Sequence, residues 1–372
     1  MLSVYSAFLI FLASSTSGFL VPNPPGRQNV TLTTGTLIDY TRNGRELMLS
    51  VFQPATCEST VPAPYMPNKT AEYEGPWLQS YFNFTEDLTP IFLEARLPVC
   101  PDDDASGCSP LDEGPILLFS PGYLIPRLYY SVLASAIASE GFTVISIDHP
   151  EDANIITYPD GHTVLTNAPL DPSDDDFVRY VGPRVADASF IIDQLGNASA
   201  VAHLLPKRGP RPIPTDRIAM LGHSLGGVSA VVAAGQDPRI RGAINWDGTI
   251  FNKLPSSGIS QPVLYVSEAN TTDSTWVDAW PQLKGPKLWI EVANTTHQSF
   301  ADMLGLLQVY GVDTTPFADL LGTIAPKKLA RILAKYTAAW MNGVFTGKRG
   351  PLLRKQEPHR FPEVSIKRKS GY

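Results

Sequence analysis

Apolar and polar residues alternate with a period of two over Thr31 to Tyr40 and again over Glu46 to Gln53, with Arg42-Asn43-Gly44 between them. That alternation and its turn signal predict an opening β-hairpin with one buried face. From residue 115 the pattern changes to short, mostly apolar runs: Pro115–Phe119, Phe142–Ile147, Ile218–Leu221, Gly242–Trp246, Pro262–Val266 and Lys287–Val292. Runs of this kind suit strands buried on both faces of a parallel sheet. Between them lie segments of helical period, at Leu128–Ser139, Arg184–Leu195, Gly227–Ala234, Phe300–Val309 and Lys327–Phe345. The Arg184 segment, for example, with Val185, Ala188, Phe190, Ile191, Ile192 and Leu195, reads as an amphipathic helix. Strand and helix in alternation predict an α/β fold, a doubly wound and mostly parallel sheet. Two stretches interrupt it. Pro54–Pro110 is rich in Pro, Asn, Asp and Cys and reads as an irregular excursion with one helix near Thr89–Ala95. Glu151–Tyr180 is polar and acidic and reads as a lid or rim above the sheet. No repeat of 20 to 50 residues is visible, which disfavours a solenoid or propeller.

The ends add a compartment. Residues 1–18 carry no charge, and Val4–Ala13 is an apolar run followed by small residues, so 1–18 reads as a signal peptide and the protein as secreted and extracellular. No run approaches the roughly 20 apolar residues of a membrane span. Sequons at Asn29, Asn68, Asn83, Asn197, Asn270 and Asn294 fit a glycoprotein. Of the three cysteines, Cys100 and Cys108 are expected to pair across a short Asp-rich loop, leaving Cys57 over. One domain is expected over 19–346, followed by a basic tail, 347–372, with eight Lys/Arg against two Glu in a chain of net charge −7. The acidic body disfavours nucleic acid as a partner; the tail could meet phosphate head groups or simply be solvated or strapped down. The alternation in Phe361–Ile366 favours a partly docked tail with an edge strand.

Chemistry concentrates at Gly222-His223-Ser224-Leu225-Gly226. An apolar strand running into Gly-x-Ser-x-Gly and then into small helix-compatible residues is the pattern of a nucleophile elbow, in which glycines let strand and helix approach closely. A serine hydroxyl is a poor nucleophile unless a base removes its proton and an acid orients that base. In the α/β-hydrolase order, serine, acid, histidine, only His297 and His359 follow Ser224. His297 sits just past an apolar strand, whereas His359 lies in the tail; His149, His162, His203 and His223 precede or adjoin the serine. Asp247, at the end of the strand after the elbow helix, is the expected acid, with Glu268 and Asp273 as rivals. The Leu225 and Tyr123 amides are the expected oxyanion donors. No zinc-ligand spacing, EF-hand loop or phosphate loop is present, so no cofactor or metal is expected.

Phe119-Ser120-Pro121-Gly122, Ser139-Glu140-Gly141-Phe142-Thr143-Val144, Gly222–Gly227, Asp247 and His297-Gln298-Ser299-Phe300-Ala301-Asp302 together resemble the lipoprotein-associated platelet-activating factor acetylhydrolase family over about residues 46 to 345. Phe52-Gln53-Pro54 and Met66-Pro67-Asn68-Lys69 are similar to its pattern too. The chain departs from it at Pro121, where the family often has His, at Gly122-Tyr123-Leu124 in place of Gly-Leu-Gly, and at Asn245-Trp246-Asp247-Gly248. The resemblance implies an α/β-hydrolase fold and a calcium-independent serine esterase acting on a short or oxidised sn-2 acyl chain of a glycerophospholipid. A broad carboxylesterase or polyester hydrolase is the alternative enzyme, and a hydrolase-fold binding module without catalysis the alternative outside enzymes. Trp276 and Trp280 read either as anchors at a lipid surface or as core residues.

Overall fold

A computed structural model describes residues 18–82, 84, 87–101, 109–110, 114–206, 212–251, 254–348, 350–354 and 359–371. Residues 1–17 of the leader and Asn83 fall outside these residues.

The hairpin forms as read: β1 (Asn29–Asp39) pairs antiparallel with β2 (Arg45–Thr56), and Asn43 and Gly44 take the positive φ of the turn. The excursion that follows is more ordered than its composition suggests. It holds α1 (Asn68–Phe82), a short helix Thr89–Glu94, and two strands, Val61–Pro64 and Arg96–Val99, paired antiparallel. Gly75-Pro76 inside α1 hides it from a pattern reading, since both residues disfavour helix interiors. The end of β2 and the end of Arg96–Val99 lie side by side, so Cys100 bonds to Cys57 across a Cα separation of 5.9 Å. That corrects the expected Cys100–Cys108 pair; Cys108 lies outside the described residues.

Beyond this come β3 (Ile116–Ser120), α2 (Ser131–Ala138), β4 (Thr143–Asp148), α3 (Asp174–Leu195), β5 (Ile218–His223), α4 (Leu225–Gln236), β6 (Ile240–Trp246), β7 (Val263–Ser267), β8 (Lys287–Val292), α5 (Met303–Tyr310), α6 (Pro326–Thr346) and β9 (Val364–Ser370). The sheet runs β1-β2-β4-β3-β5-β6-β7-β8-β9, parallel from β4 to β8, with antiparallel strands at both ends. Side chains alternate along each strand. Leu117, Phe119, Leu221, Trp246 and Ile290 face a core shared with α1, α2, α5 and α6. Ile116, Leu118, Met220, Ala243 and Tyr265 face the core shared with α3 and α4. Burial on both faces explains why the parallel strands are predominantly apolar. Helix α3 begins ten residues before the expected start at Arg184, fixed by a capping box between Ser173 and Asp176 and carried through Pro183. The rest of the predicted rim contains a small hairpin, Ile155–Thr157 with Thr163–Leu165. Among the described residues no helix is long and apolar enough to cross a membrane.

Candidate active site

The C-terminal ends of β3, β5, β6 and β8 converge on one edge of the sheet, where ligands of open α/β sheets bind. Ser224 follows β5 directly, with φ 55° and ψ −124°. Such a conformation is costly for a residue with a Cβ and persists only where its surroundings impose it. Here they do. The Ser224 amide donates to Trp246 O (2.9 Å), and its carbonyl accepts from Gly227 and Val228 in the first turn of α4. The glycines on either side are sterically required: a Cβ on Gly226 would lie 1.9 Å from Ser120 O, and one on Gly222 would lie 2.3 Å from the Gly226 carbonyl carbon.

Asp247 closes β6, also with positive φ (52°). Its Oδ1 accepts from the Glu268 amide (2.8 Å), and its Oδ2 lies 2.7 Å from His297 Nδ1. The two rivals are placed otherwise. Asp273 caps the short helix Ser274–Ala279 through Thr275, while burial and then the Asp247 charge push the Glu268 carboxyl up from its ordinary range. The His297 side chain remains 39% exposed against 7% for Asp247, so the imidazole faces the cleft with its partner behind it.

A second chain of bonds supports His297 from below. Tyr130 Oη accepts from the Gly122 amide (3.0 Å) and lies 2.9 Å from His223 Nδ1. His223 Nε2 lies 3.0 Å from the His297 carbonyl, which can only accept, so His223 donates from Nε2 and accepts at Nδ1. Burial, with His297 adjacent, pushes the His223 imidazole well below its usual range, which keeps it in this neutral form. Asp302, five residues beyond His297, accepts from the Val132 and Leu133 amides at the start of α2 and from Tyr65 Oη. Burial nevertheless pushes its carboxyl up to about 7.

The loop after β3 passes close to the serine: a Cβ on Gly122 would lie 3.6 Å from Ser224 Cβ. The Tyr123 side chain packs in a half-open aromatic group with Phe177 and Tyr180, and Phe177 stacks on Phe251. Leu225 opens α4, where backbone amides have no partner inside the helix.

Another Ser–His–Asp chain, which sequence reasoning passed over, lies beneath. Ser120 Oγ is 2.9 Å from His149 Nε2, and His149 Nδ1 is 2.8 Å from Asp187 Oδ2. All three are buried, with 0%, 1% and 0% exposure, so no ester can reach Ser120. Asp187 also receives Arg42 and Arg45 and is held well below the usual carboxylate range.

The remaining expectations sort by exposure. Trp276 and Trp280 are core residues, 1% and 4% exposed, and Trp276 Nε1 donates to Gly248 O (2.7 Å), so neither is available as a lipid anchor. Asn68, Asn197, Asn270 and Asn294 are exposed, and Asn29 is half-buried with Nδ2 donating to Cys57 O. Among the described residues no group of three or more His, Cys, Asp or Glu could hold a metal ion.

Residues 13–169 and 211–341 match the platelet-activating factor acetylhydrolase, isoform II, family. The chain belongs to that family. It is 28% identical over 95% of both chains to a protein of Arthroderma benhamiae named probable 1-alkyl-2-acetylglycerophosphocholine esterase. It is 24% identical to the platelet-activating factor acetylhydrolase of Canis lupus familiaris, over 79% of this chain and 70% of that one. Among solved structures, a ferulic acid esterase from Streptomyces cinnamoneus superposes with a TM-score of 0.75 at 26% identity, over 94% of this chain and all of that one. The fold is therefore of the α/β-hydrolase type, and the family is one of carboxylic ester hydrolases, which sets aside a binding module without catalysis.

Proposed function

We propose that this protein is a secreted serine esterase that removes a short or oxidised sn-2 acyl chain from a glycerophospholipid, with Ser224, His297 and Asp247 as its triad. The observation that carries the reading is the 2.7 Å approach of His297 Nδ1 to Asp247 Oδ2 at the same sheet edge as a serine in elbow geometry. In this mechanism His297 Nε2 takes the Ser224 proton as Oγ attacks the ester carbonyl. The Leu225 and Tyr123 amides receive the oxyanion, and the proton passes to the departing alcohol. Water, activated by the same imidazole, then releases the acid from the acyl-enzyme. No step calls for calcium, so EDTA is expected to leave turnover unchanged.

The substrate class rests on the relatives' names. Secretion rests on the uncharged leader, the exposed sequons and the Cys57–Cys100 bond. The glycan site at Asn294, three residues before the base, is proposed to be empty or to carry its sugar away from the cleft. A broader carboxylesterase is the second reading, favoured by the likeness to a ferulic acid esterase. A hydrolysis panel decides between them: 2-acetyl and longer sn-2 phospholipids, methyl ferulate and p-nitrophenyl butyrate, each with wild type and Ser224→Ala. Preference for 2-acetyl phospholipid, lost in Ser224→Ala, supports the first reading; equal or better turnover of the simple esters supports the second. Turnover that survives Ser224→Ala overturns both.

A further inference from the structure

The Arg184 guanidinium, on α3 and 1% exposed, spends all five of its N–H groups around one loop. Nε and Nη2 donate to the two Asp152 oxygens (2.8 and 2.7 Å), and Nη2 also donates to Gly122 O (3.0 Å). Nη1 donates to Pro121 O and to Ser120 Oγ (3.1 Å). Ser120 in turn stands on His149 and Asp187, which accounts for the buried Ser–His–Asp chain as scaffolding. Two N–H groups of the loop are also committed: Gly122 N–H to Tyr130 Oη, and Leu124 N–H to Asp152 O (3.1 Å). Pro121 has no N–H. In the run Pro121–Leu124 these bonds leave over the Tyr123 amide, the proposed oxyanion donor.

Gly122 O and Tyr123 N–H belong to the same peptide unit. That unit is planar and trans, so its C=O and N–H point in opposite directions, and a guanidinium that fixes the oxygen also fixes where the N–H aims. A bidentate carboxylate then fixes the guanidinium. We propose that Arg184, braced by Asp152, is the positioning residue of the oxyanion hole: it locks the plane of the Gly122–Tyr123 peptide with the Tyr123 N–H toward the reacting carbonyl. This rests on the serine-esterase reading above. Arg184 touches no substrate; it acts through the peptide it holds.

The test compares wild type with Arg184→Lys, Arg184→Met and the double variant Arg184→Met/Asp152→Asn. The double variant avoids stranding a buried carboxylate and so guards against simple misfolding. Circular dichroism and melting curves establish folding, and assays run well below each melting temperature on a soluble short-chain ester. Loss of one oxyanion donor typically lowers kcat by about 10²–10³, and both Met variants are expected to fall in that range with KM within about threefold. Arg184→Lys, which can keep a single carbonyl contact, is expected to recover part of the loss. Affinity for a trifluoromethyl ketone, whose hemiketal oxygen occupies the hole, should fall in parallel with kcat/KM, a correlation that mere loosening of the fold does not produce. A folded double variant with kcat within about threefold of wild type, or one that loses activity through KM while binding the ketone normally, overturns the assignment. Should wild type itself show no Ser224-dependent turnover, the esterase reading fails first, and the two failures are told apart.

Discussion

Replacing Asp247 by Asn tests the proposed triad at its acid, and the hydrogen bonds around it dictate what the amide must do. Oδ1 receives the Glu268 N–H at 2.8 Å, and that donor needs an acceptor. In Asp247→Asn the side-chain oxygen therefore keeps this place, and the NH₂ group takes the place of Oδ2, 2.7 Å from His297 Nδ1. An NH₂ there can only donate, so Nδ1 must accept and the ring proton moves to Nε2. An Nε2 that already carries the ring proton has no lone pair with which to take the serine's, and no carboxylate remains to stabilise an imidazolium. The equivalent exchange in trypsin-like enzymes costs about 10⁴ in kcat, or about 5.5 kcal/mol. The same loss is expected here, in kcat and with little change in KM. Steady-state kinetics on a soluble ester between pH 6 and 10 would measure it, alongside Glu268→Gln, expected to stay within a few-fold because Asp247 meets the Glu268 backbone and not its carboxylate. Activity of Asp247→Asn within tenfold of wild type, or a larger loss in Glu268→Gln, would refute the argument.

Three further outcomes are expected. Glu74, fully buried and bonded to Tyr129 Oη, has its carboxyl pushed up by burial to about 8, against 4.5 for a solvated glutamate. The folded state thus holds a proton that the unfolded chain releases above pH 4.5, so stability falls as pH rises toward 8, by at most about 4–5 kcal/mol. Urea unfolding from pH 5 to 9 should show that slope in wild type and a shallower one in Glu74→Gln; parallel curves would count against it. Opening the Cys57–Cys100 bond, which spans 43 residues, is expected to cost about 4 kcal/mol by chain entropy as a ceiling; a Cys57→Ala/Cys100→Ala variant with an unchanged melting temperature would contradict that. Trp276→Ala should cost about 3–5 kcal/mol and depress action on vesicles and on soluble esters equally; a loss confined to vesicles would reinstate the lipid-anchor reading.

The parts of the fold that were legible in the sequence are those whose burial is simplest. Strands β3 to β8 are covered on both faces and are apolar over most of their length, with polar residues mainly toward their ends, so runs such as Ile116–Phe119 announce themselves. The elbow was legible because close packing of Gly222, Gly226 and Ser120 O leaves no room for any other residue type. Helix α1 was not, since Gly75-Pro76 lies within it, and the true start of α3 was not, since its first turns are acidic and exposed. Arg184 escaped because pattern reading sees only the first residue of an apolar helix face. What five carbonyl, hydroxyl and carboxylate oxygens would surround it depends on loops more than 30 residues away in sequence. Local pattern likewise could not distinguish Trp276 at a surface from Trp276 packed between Tyr265 and, edge to face, Trp289.

Strand β9 has a consequence for how copies of the protein meet one another. It covers β8, the strand that leads to His297, and among the described residues no strand covers β9 in turn. An open edge invites pairing with a second sheet. Here the exposed end of that edge reads Lys367-Arg368-Lys369, each held in place by its own contact: Lys367 on Glu291, Arg368 over the Trp280 ring, and Lys369 on Arg354 O. Two molecules approaching edge to edge would bring six like charges together before any backbone bond could form. Like charge along this edge thus opposes edge-to-edge pairing, and salt would weaken that opposition.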